Sequence, residues 1–171
     1  MNAANYSAVE SLRDGRSVEI RALRPEDRTG MLAAIGRAGK QSIFQRFFAF
    51  KHGFTEKEID FYVNVDFVNH VALVALVEED GRSAIVGGAR YIVLEPGRAE
   101  IAFAVDDPHQ GLGIGSLLMR HLAVIARQAG LEELIAYVLP GNVAMLKVFE
   151  RSGLQTSVGR EPDATHVALR L

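Results

Sequence analysis

Three glycines at alternate positions separate an apolar run from a segment of helical periodicity. Gly111, Gly113 and Gly115 follow the apolar run 99–105, which ends before Pro108 because proline cannot continue a strand ladder. Beyond the glycines, apolar residues recur at the spacing of an amphipathic helix. Glycine lets the backbone approach a ligand closely, and the first amide groups of a helix have no intrahelical acceptor. The arrangement therefore predicts an anion-binding loop suited to a phosphate group.

The spacing of these glycines separates three kinds of nucleotide-binding loop. A P-loop requires a lysine after its second glycine, and no lysine follows any of the three. A dinucleotide-binding fingerprint requires Gly-x-Gly-x-x-Gly, but its third position holds serine when the motif starts at Gly111 and leucine when it starts at Gly113. The pattern that fits is Gln110-x-x-Gly113-x-Gly115. A glycine-rich turn that only begins a packed helix remains the alternative.

Glu100 is the residue best suited to acid–base chemistry. It stands in the otherwise apolar run before the loop, where a carboxylate is costly unless it is paired or functional. Burial there is expected to raise its pKa toward neutrality, as a general base requires. Two alternatives remain: strand alternation could place Glu100 near solvent, or Arg90 or Arg98 could form an ion pair with it.

Hydrophobic periodicity and turn residues predict the elements that position these residues. A strand, the glycine loop, a helix and a further strand follow one another, which predicts a right-handed parallel crossover. The predicted fold is α/β, of the α+β type, with a mixed, mostly antiparallel sheet of six or seven strands flanked by helices. The predicted strands are Ser17–Leu23, His70–Glu78, Ala84–Leu94, Arg98–Val105, Leu134–Leu139, Gln155–Val158 and Thr165–Leu171, and the predicted helix starts are Pro25, the capping box at Thr55, the end of the glycine loop and Asn142.

Length and composition indicate one domain spanning residues 1–171. With 49% hydrophobic and 23% charged residues, the chain has the composition of a globular protein with a sizeable core. Residues 1–16 are mostly small and polar, so we expect a flexible N-terminal arm there. The first residues lack the layout of a signal peptide, and no apolar segment approaches the length of a membrane span. A cytoplasmic protein is therefore expected.

Charge and cysteine content exclude several classes of function. A formal net charge of −2 without a Lys/Arg block predicts neither nucleic-acid binding nor membrane binding. The chain has no cysteine, which excludes a cysteine nucleophile and zinc–thiolate sites. His109, His121 and His166 are isolated in sequence and are interpreted as surface or packing residues. No cluster of His, Asp and Glu has metal-ligand spacing, so no metal is expected.

Three motifs in order carry a resemblance to a known family. The strand 99–105 resembles the fourth strand of the GNAT superfamily of acyl-CoA-dependent N-acyltransferases, and Gln110–Ser116 resembles its pyrophosphate-binding loop. The segment Asn142–Leu154 resembles the second conserved segment, Asn-x-x-Ala followed by an aromatic residue and a terminal glycine. The resemblance covers about residues 17–171, and it implies the GNAT fold and acetyl-CoA as co-substrate.

The resemblance also implies roles for individual residues. In the family, acetyl-CoA enters where the fourth and fifth strands diverge, and its thioester is attacked by an amine. Glu100 would then act as general base, directly or through water, and the backbone N–H of Val105 would stabilise the oxyanion. Asn142 would contact the cofactor, although a role as helix N-cap is equally supported. The backbone of Ala104 and Val105 would pair with the pantetheine arm, with simple ladder pairing as the alternative. The implied cofactor-binding residues are Ala104, Val105, Gln110, Gly111, Leu112, Gly113, Ile114, Gly115, Ser116, Asn142, Met145 and Phe149.

Phe149 departs from the family pattern. Many members have a tyrosine at this position that protonates the leaving thiolate, and phenylalanine has no proton to donate. Phe149 is therefore interpreted as part of the helix packing and the cofactor wall. Tyr137 is a candidate for a substitute acid, although a tyrosine in a strand is usually a packing residue.

A narrower resemblance concerns the N-terminal half. The segment Ser42–Phe48, followed by Asp66 and His70, resembles the GNAT domains of bacterial protein-lysine acetyltransferases. Arg46, within that segment, is interpreted as a structural brace. The expected function is acetyl transfer to a primary amine, of a protein lysine or a small molecule, by direct transfer in a ternary complex. A GNAT-fold acyl-CoA-binding regulatory module with little turnover is the alternative, and a homodimer is compatible with either.

Overall fold

The computed structural model describes residues 1–37 and 55–171, and the described chain forms one mixed sheet with helices on both faces. The aromatic segment Ser42–Phe50, including Arg46, lies outside these residues. The sheet order is β1-β2-β3-β4-β5-β6-β8-β7. The strands are β1 Ser7–Ser11, β2 Ser17–Ala22, β3 His70–Glu79, β4 Arg82–Glu95, β5 Arg98–Val105, β6 Glu133–Val138, β7 Gln155–Arg160 and β8 Thr165–Arg170, and the described helices are α1 Arg28–Arg37, α2 Glu56–Val63, α3 Ile114–Gln128 and α4 Val143–Arg151.

The strand pairing confirms a mixed, mostly antiparallel sheet. Among the described strands only β5 and β6 pair in parallel, and α3 connects them, as predicted for the crossover. The described part of the chain has eight strands, one more than the six or seven predicted, and the additional strand is β1. The strand that resembles the family's fourth is accordingly β5 in this chain.

The N-terminal segment is part of the sheet, which corrects the prediction of a flexible arm over residues 1–16. Strand β1 pairs antiparallel with β2 along its whole length, from Ser7 opposite Arg21 to Ser11 opposite Ser17. Glu10 also ties β1 to α3, because its carboxylate lies 2.8 Å from His121 Nε2 and 2.5 Å from Arg120 Nη2. These contacts join residues more than a hundred positions apart, and local sequence patterns carry no signal for them.

The sheet separates two apolar layers. Helix α3 and Phe149 of α4 pack on one face together with alternate residues of β5, such as Ile101 and Phe103. Helices α1 and α2 cover the other face, where they pack against Ala72 and Val74 of β3. Strand β3 is buried on both sides from residue 70 to residue 77, in agreement with its continuous apolar run. Among the described residues no helix is long and apolar enough to cross a membrane.

Candidate active site

Strands β5 and β6 diverge at the end of the sheet that carries the glycine loop. Their pairing runs only from Arg98 opposite Glu133 to Ile101 opposite Ala136. Beyond Ile101, within the described chain, residues 102–105 of β5 pair with β4 but not with β6. The last four residues of β5 therefore have an unpaired edge on the side of β6, and this gap is where the resemblance implied that the cofactor enters.

The hydrogen bonds of β5 show which peptide groups face this gap. The Asp106 N–H donates to the Val86 carbonyl oxygen of β4 at 2.9 Å. Because peptide groups along a strand point alternately to its two edges, the peptide groups of Val105 and Phe103 are directed toward the gap. The Val105 N–H therefore faces the gap, and its role as oxyanion donor stays a prediction.

Ala104 requires a correction. Its carbonyl oxygen is directed at β4, where it lies 2.9 Å from the position that a Cβ on Gly87 would take. The backbone of Ala104 therefore faces its strand partner Gly88 and is not available to a ligand in the gap. The peptide group of Phe103, rather than that of Ala104, faces the gap. The edge of β5 that each peptide group faces depends on the register of β4 against β5, and the sequence alone does not give that register.

The glycine loop connects β5 to α3 in a conformation that requires glycine. Gly111 and Gly113 have φ values of +79° and +95°, which other residues rarely adopt. Gly113 is the N-cap of α3 and supplies no side-chain cap, so the amides of the first helical turn are directed at the loop. No acidic side chain occupies that first turn. The loop thus has the open backbone donors that a pyrophosphate group requires.

Side chains around the loop brace it against the sheet. The Gln110 Nε2 donates to the Val105 carbonyl oxygen at 3.2 Å and to Asp107 Oδ1 at 3.0 Å. His109 is buried between two carboxylates, with Nδ1 2.6 Å from Asp106 and Nε2 2.6 Å from Glu79. His109 is therefore a structural residue of the loop, as expected from the sequence, but a deeply buried one.

The remaining loop residues form the base of the cradle. Ile114 is buried in the core below the loop, and Leu112 packs against the same cluster. A Cβ on Gly115 would lie 3.2 Å from Val148 of α4, so glycine permits the close approach of the two helices there. Ser116 is half-buried on the first turn of α3.

Glu100 is buried, with 5% of its surface exposed. It lies between Ile92 of β4 and Ile135 of β6 in the strand register, so the alternative of a solvent-exposed strand end is excluded. Its side chain is on the sheet face that α1 and α2 cover, because the opposite parity of β5 packs against α3. Electrostatic interaction with Tyr62 of α2 places the two groups near each other.

Arg90, His70 and Tyr62 form a polar cluster on the same face as Glu100. Arg90 Nη1 donates to the Tyr62 carbonyl oxygen at 3.0 Å and to His70 Nε2 at 2.9 Å. The guanidinium also lies 5.0 Å from the centre of the Tyr62 ring. Burial lowers the pKa of Arg90 to about 10, and it raises the pKa of Tyr62. The sequence did not predict this cluster; its one local signal is an arginine, Arg90, within an apolar strand.

The pKa of His70 provides a test of this cluster. Burial, followed by the neighbouring Arg90 charge, lowers the pKa of His70 to about 4, against an opposing effect of Asp66. Between pH 4 and the ordinary value of 6.5 the unfolded chain binds a proton that the folded chain excludes. Lowering the pH from 7 to 5 should therefore reduce the free energy of unfolding by about 1–2 kcal/mol through His70.

Urea unfolding at the two pH values measures this effect. The His70→Gln variant keeps an acceptor for Arg90 but has no proton to bind, so it should lose less stability on acidification than the wild type. The variant His166→Gln is the matched control and should keep the wild-type difference. Equal pH dependence in wild type and His70→Gln would contradict the buried neutral imidazole.

A cavity of about 70 Å³ lies between the helices and this face of the sheet. Its walls include Arg90, Tyr62 and the side chain of Ala104, and the Phe103 position borders both the cavity and the gap. Apolar side chains of α1 and α2 complete the lining. The cavity therefore reaches the gap from the side on which Glu100 lies.

Helix α4 forms the other wall of the gap. The Asn142 Oδ1 accepts the Met145 N–H at 3.2 Å, so the N-cap role of Asn142 is confirmed, and Met145 packs against the core. Phe149 is 1% exposed and meets the Phe103 ring edge-on, with centroids 5.9 Å apart. Phe149 is thus part of the packing behind Phe103, and its place in the cofactor wall stays a prediction.

Tyr137 lies on the same sheet face as Glu100, because it follows Ile135, the partner of Glu100, by two residues. Its ring is edge-on to His166 at 5.2 Å. Both the packing role and the acid role remain compatible with this position. Across residues 1–37 and 55–171, no three His, Asp or Glu side chains converge in a manner that could hold a metal ion.

The spacing along β5 separates the predicted base from the predicted oxyanion donor. At about 3.4 Å per residue, Glu100 lies about 10 Å from Phe103 and about 17 Å from Val105. If Glu100 is the base, as predicted, this distance requires that it act through water rather than by contact. The Phe103 N–H is the nearer of the two donors that face the gap.

Comparison with known proteins is consistent with this geometry. Residues 41–154 match the model of the "Acetyltransferase (GNAT) family". An acetyltransferase of Pseudomonas aeruginosa is 38% identical over 95% of this chain and 88% of its own length. The acetyltransferase Pat of Mycolicibacterium smegmatis is 30% identical over 83% of this chain, and the matched part is 42% of Pat.

Solved structures show the same fold. The GNAT domain of S. lividans PAT superposes with a TM-score of 0.83 at 30% identity, covering 96% of this chain and 97% of that domain. YncA of Salmonella typhimurium, whose structure contains its cofactor acetyl-CoA, has a TM-score of 0.69 at 20% identity, covering 90% of this chain and 92% of that one. The diverging strands, the glycine loop and the family model that spans them agree: this chain belongs to the GNAT family of acetyltransferases.

Proposed function

We propose that this protein transfers the acetyl group of acetyl-CoA to a primary amine by direct transfer in a ternary complex. The acceptor is a protein lysine or a small-molecule amine. The observation that supports the proposal most is the gap between β5 and β6, which begins beside Ile101 and leads to the open amides of the glycine loop. A module that only bound a nucleotide would not require a buried carboxylate such as Glu100 beside that gap.

The proposed cofactor contacts follow from the directions of backbone groups. The amides of residues 111–116 would bind the pyrophosphate, and the Phe103 carbonyl oxygen and the Val105 N–H would hydrogen-bond the pantetheine arm as an added strand does. Phe149 and Met145 would form the apolar wall of the gap. Bound there, acetyl-CoA supplies an activated thioester to the amine.

The proposed chemistry assigns two tasks to the chain. Glu100 accepts the proton of the attacking amine through a water molecule, from the sheet face that the 70 Å³ cavity reaches. The Phe103 N–H stabilises the negative charge that develops on the acetyl oxygen, in place of the Val105 N–H, which lies about 7 Å further along the strand edge. No acyl-enzyme is required, in agreement with a chain that has no cysteine.

A thiol-release assay tests the proposal. Acetyl-CoA is combined with a panel of amines that includes lysine-containing peptides, denatured protein and small polyamines, and binding of CoA is measured separately. We expect release of free CoA that depends on both the amine and the enzyme. Tight CoA binding without turnover on any amine would instead support the regulatory-module alternative.

The conformation of Gly113 gives a quantitative prediction for cofactor binding. Alanine at φ +95° is strained by about 1–3 kcal/mol, and its methyl group would approach Arg13 Nε at 3.6 Å. Relief of this strain must move the loop amides, so Gly113→Ala should weaken acetyl-CoA binding by about 10-fold or more. Gly159→Ala is the control, because its Cβ would have no heavy atom within 4 Å and its φ is ordinary. Titration calorimetry measures both, and equal affinity of the two variants would contradict the loop assignment.

A further inference from the structure

A groove lined by arginines begins where the glycine loop ends. It has a volume of about 380 Å³ and lies over α3, between the β1–β2 turn and the end of α4. Gly113 and Ser116 form its upper end. Among the described residues that line it there is no acidic side chain, and there are four arginines: Arg13, Arg120, Arg127 and Arg151.

Most of this positive charge is uncompensated. Arg120 forms an ion pair with Glu10 at 2.5 Å. Within residues 1–37 and 55–171, neither Arg13, Arg127 nor Arg151 has a carboxylate within 4 Å. A groove with several unpaired guanidinium groups attracts an anion, and guanidinium is the side chain best matched to phosphate oxygens.

Arg13 is fastened to the glycine loop itself. Its Nη1 donates to the Gly111 carbonyl oxygen at 3.1 Å, and its backbone N–H donates to the Leu112 carbonyl oxygen at 3.1 Å. The guanidinium is therefore held beside the proposed pyrophosphate site, with donors left for a second anion because arginine has five N–H groups.

Arg151 and Arg127 lie at different depths in the groove. Helices α3 and α4 run in the same direction, because each returns from the carboxyl end of one of two parallel strands. Val148 is adjacent to Gly115, so Arg151, one turn further, lies about 5 Å below the start of α3. Arg127 lies about 20 Å from the loop along α3.

We infer that the upper end of this groove binds the 3′-phosphate of the CoA ribose, with Arg13 and Arg151 as its charged partners. In CoA the phosphorylated ribose follows directly after the pyrophosphate, so a ligand whose pyrophosphate lies on the loop carries its 3′-phosphate into this groove. The inference rests on the proposed function. It makes Arg13, supplied by the β1–β2 turn, a residue that distinguishes CoA from 3′-dephospho-CoA, and it gives the ordered N-terminal strand a role in cofactor selection.

The test compares the dissociation constants of CoA and 3′-dephospho-CoA by titration calorimetry at low salt. Wild type should bind CoA about 10-fold more tightly than the dephosphorylated form, and 0.5 M NaCl should reduce that preference. Arg13→Gln and Arg151→Gln should each reduce the preference about threefold or more by weakening CoA alone. Arg127→Gln, in the same groove but far from the loop, should keep the wild-type preference.

The outcomes separate the inference from the function on which it rests. Equal binding of the two ligands by wild type would overturn the phosphate subsite while leaving acyl-CoA binding intact. If Arg13→Gln lowers the affinity for CoA and for 3′-dephospho-CoA equally, Arg13 only supports the loop. The preference of Arg151→Gln for CoA then decides whether the groove binds the 3′-phosphate. If neither ligand binds wild type, the proposed function itself fails.

Discussion

Replacing Glu100 by glutamine is expected to lower kcat for amine acetylation by about 10²- to 10⁴-fold, the usual contribution of a general base. Glutamine has nearly the same size, so the β5 backbone and the gap should be unchanged. The KM for acetyl-CoA should therefore remain close to the wild-type value, and the loss should appear in kcat. Steady-state thiol release with a saturating amine measures both constants.

A pH profile and a control variant distinguish the loss of a general base from other causes of low kcat. Raising the pH increases the fraction of free amine, so the Glu100→Gln variant should recover part of its activity at alkaline pH while wild type gains less. Glu161→Gln, at an exposed position between β7 and β8, is the matched control and should behave as wild type. Near-normal kcat in Glu100→Gln would place the base elsewhere on the gap, with Tyr62 as the next residue to replace.

The fold was predictable where the signals are local. The run 98–105 and the glycines after it predicted β5, the loop and the start of α3, because strand alternation, positive φ and helical period are all properties of neighbouring residues. The capping box predicted at Thr55 is present, with the Glu58 N–H donating to the Thr55 hydroxyl at 3.2 Å. Strand β1 was missed because it is a short edge strand whose stability depends on β2 and on contacts to α3.

The sequence predicted where along the chain the candidate site lies, but not which edge of β5 its peptide groups face. Glu100 was identified because a carboxylate in an apolar strand is conspicuous, and its burial agrees with that interpretation. The exchange of Ala104 for Phe103 depends on which edge of β5 each peptide group faces, and that follows from the register with β4. The cluster of Arg90, His70 and Tyr62 joins three elements that are distant in sequence, so no motif predicts it.

Phe149→Ala is expected to lower the free energy of unfolding by about 3–5 kcal/mol, the usual effect of removing a buried phenylalanine side chain. Phe149 is 1% exposed, and its ring meets Phe103 edge-on, so alanine leaves a cavity and removes an aromatic pair at the wall of the gap. Phe149→Leu, which keeps most of the volume, should lose distinctly less. Urea unfolding monitored by circular dichroism gives the differences, and a loss below about 1 kcal/mol for Phe149→Ala would contradict the packing described for α4.

The same position shows whether the missing hydroxyl limits catalysis. Phe149→Tyr introduces a phenol into a nearly closed apolar site, which costs stability unless the new hydroxyl reaches a partner in the gap. If the leaving thiolate departs without an acid from α4, as the native phenylalanine implies, kcat of Phe149→Tyr should not exceed that of wild type. A severalfold increase in kcat would mean that protonation of the thiolate limits the rate of the native enzyme. It would also mean that Tyr137 does not supply the proton that a tyrosine at position 149 would supply.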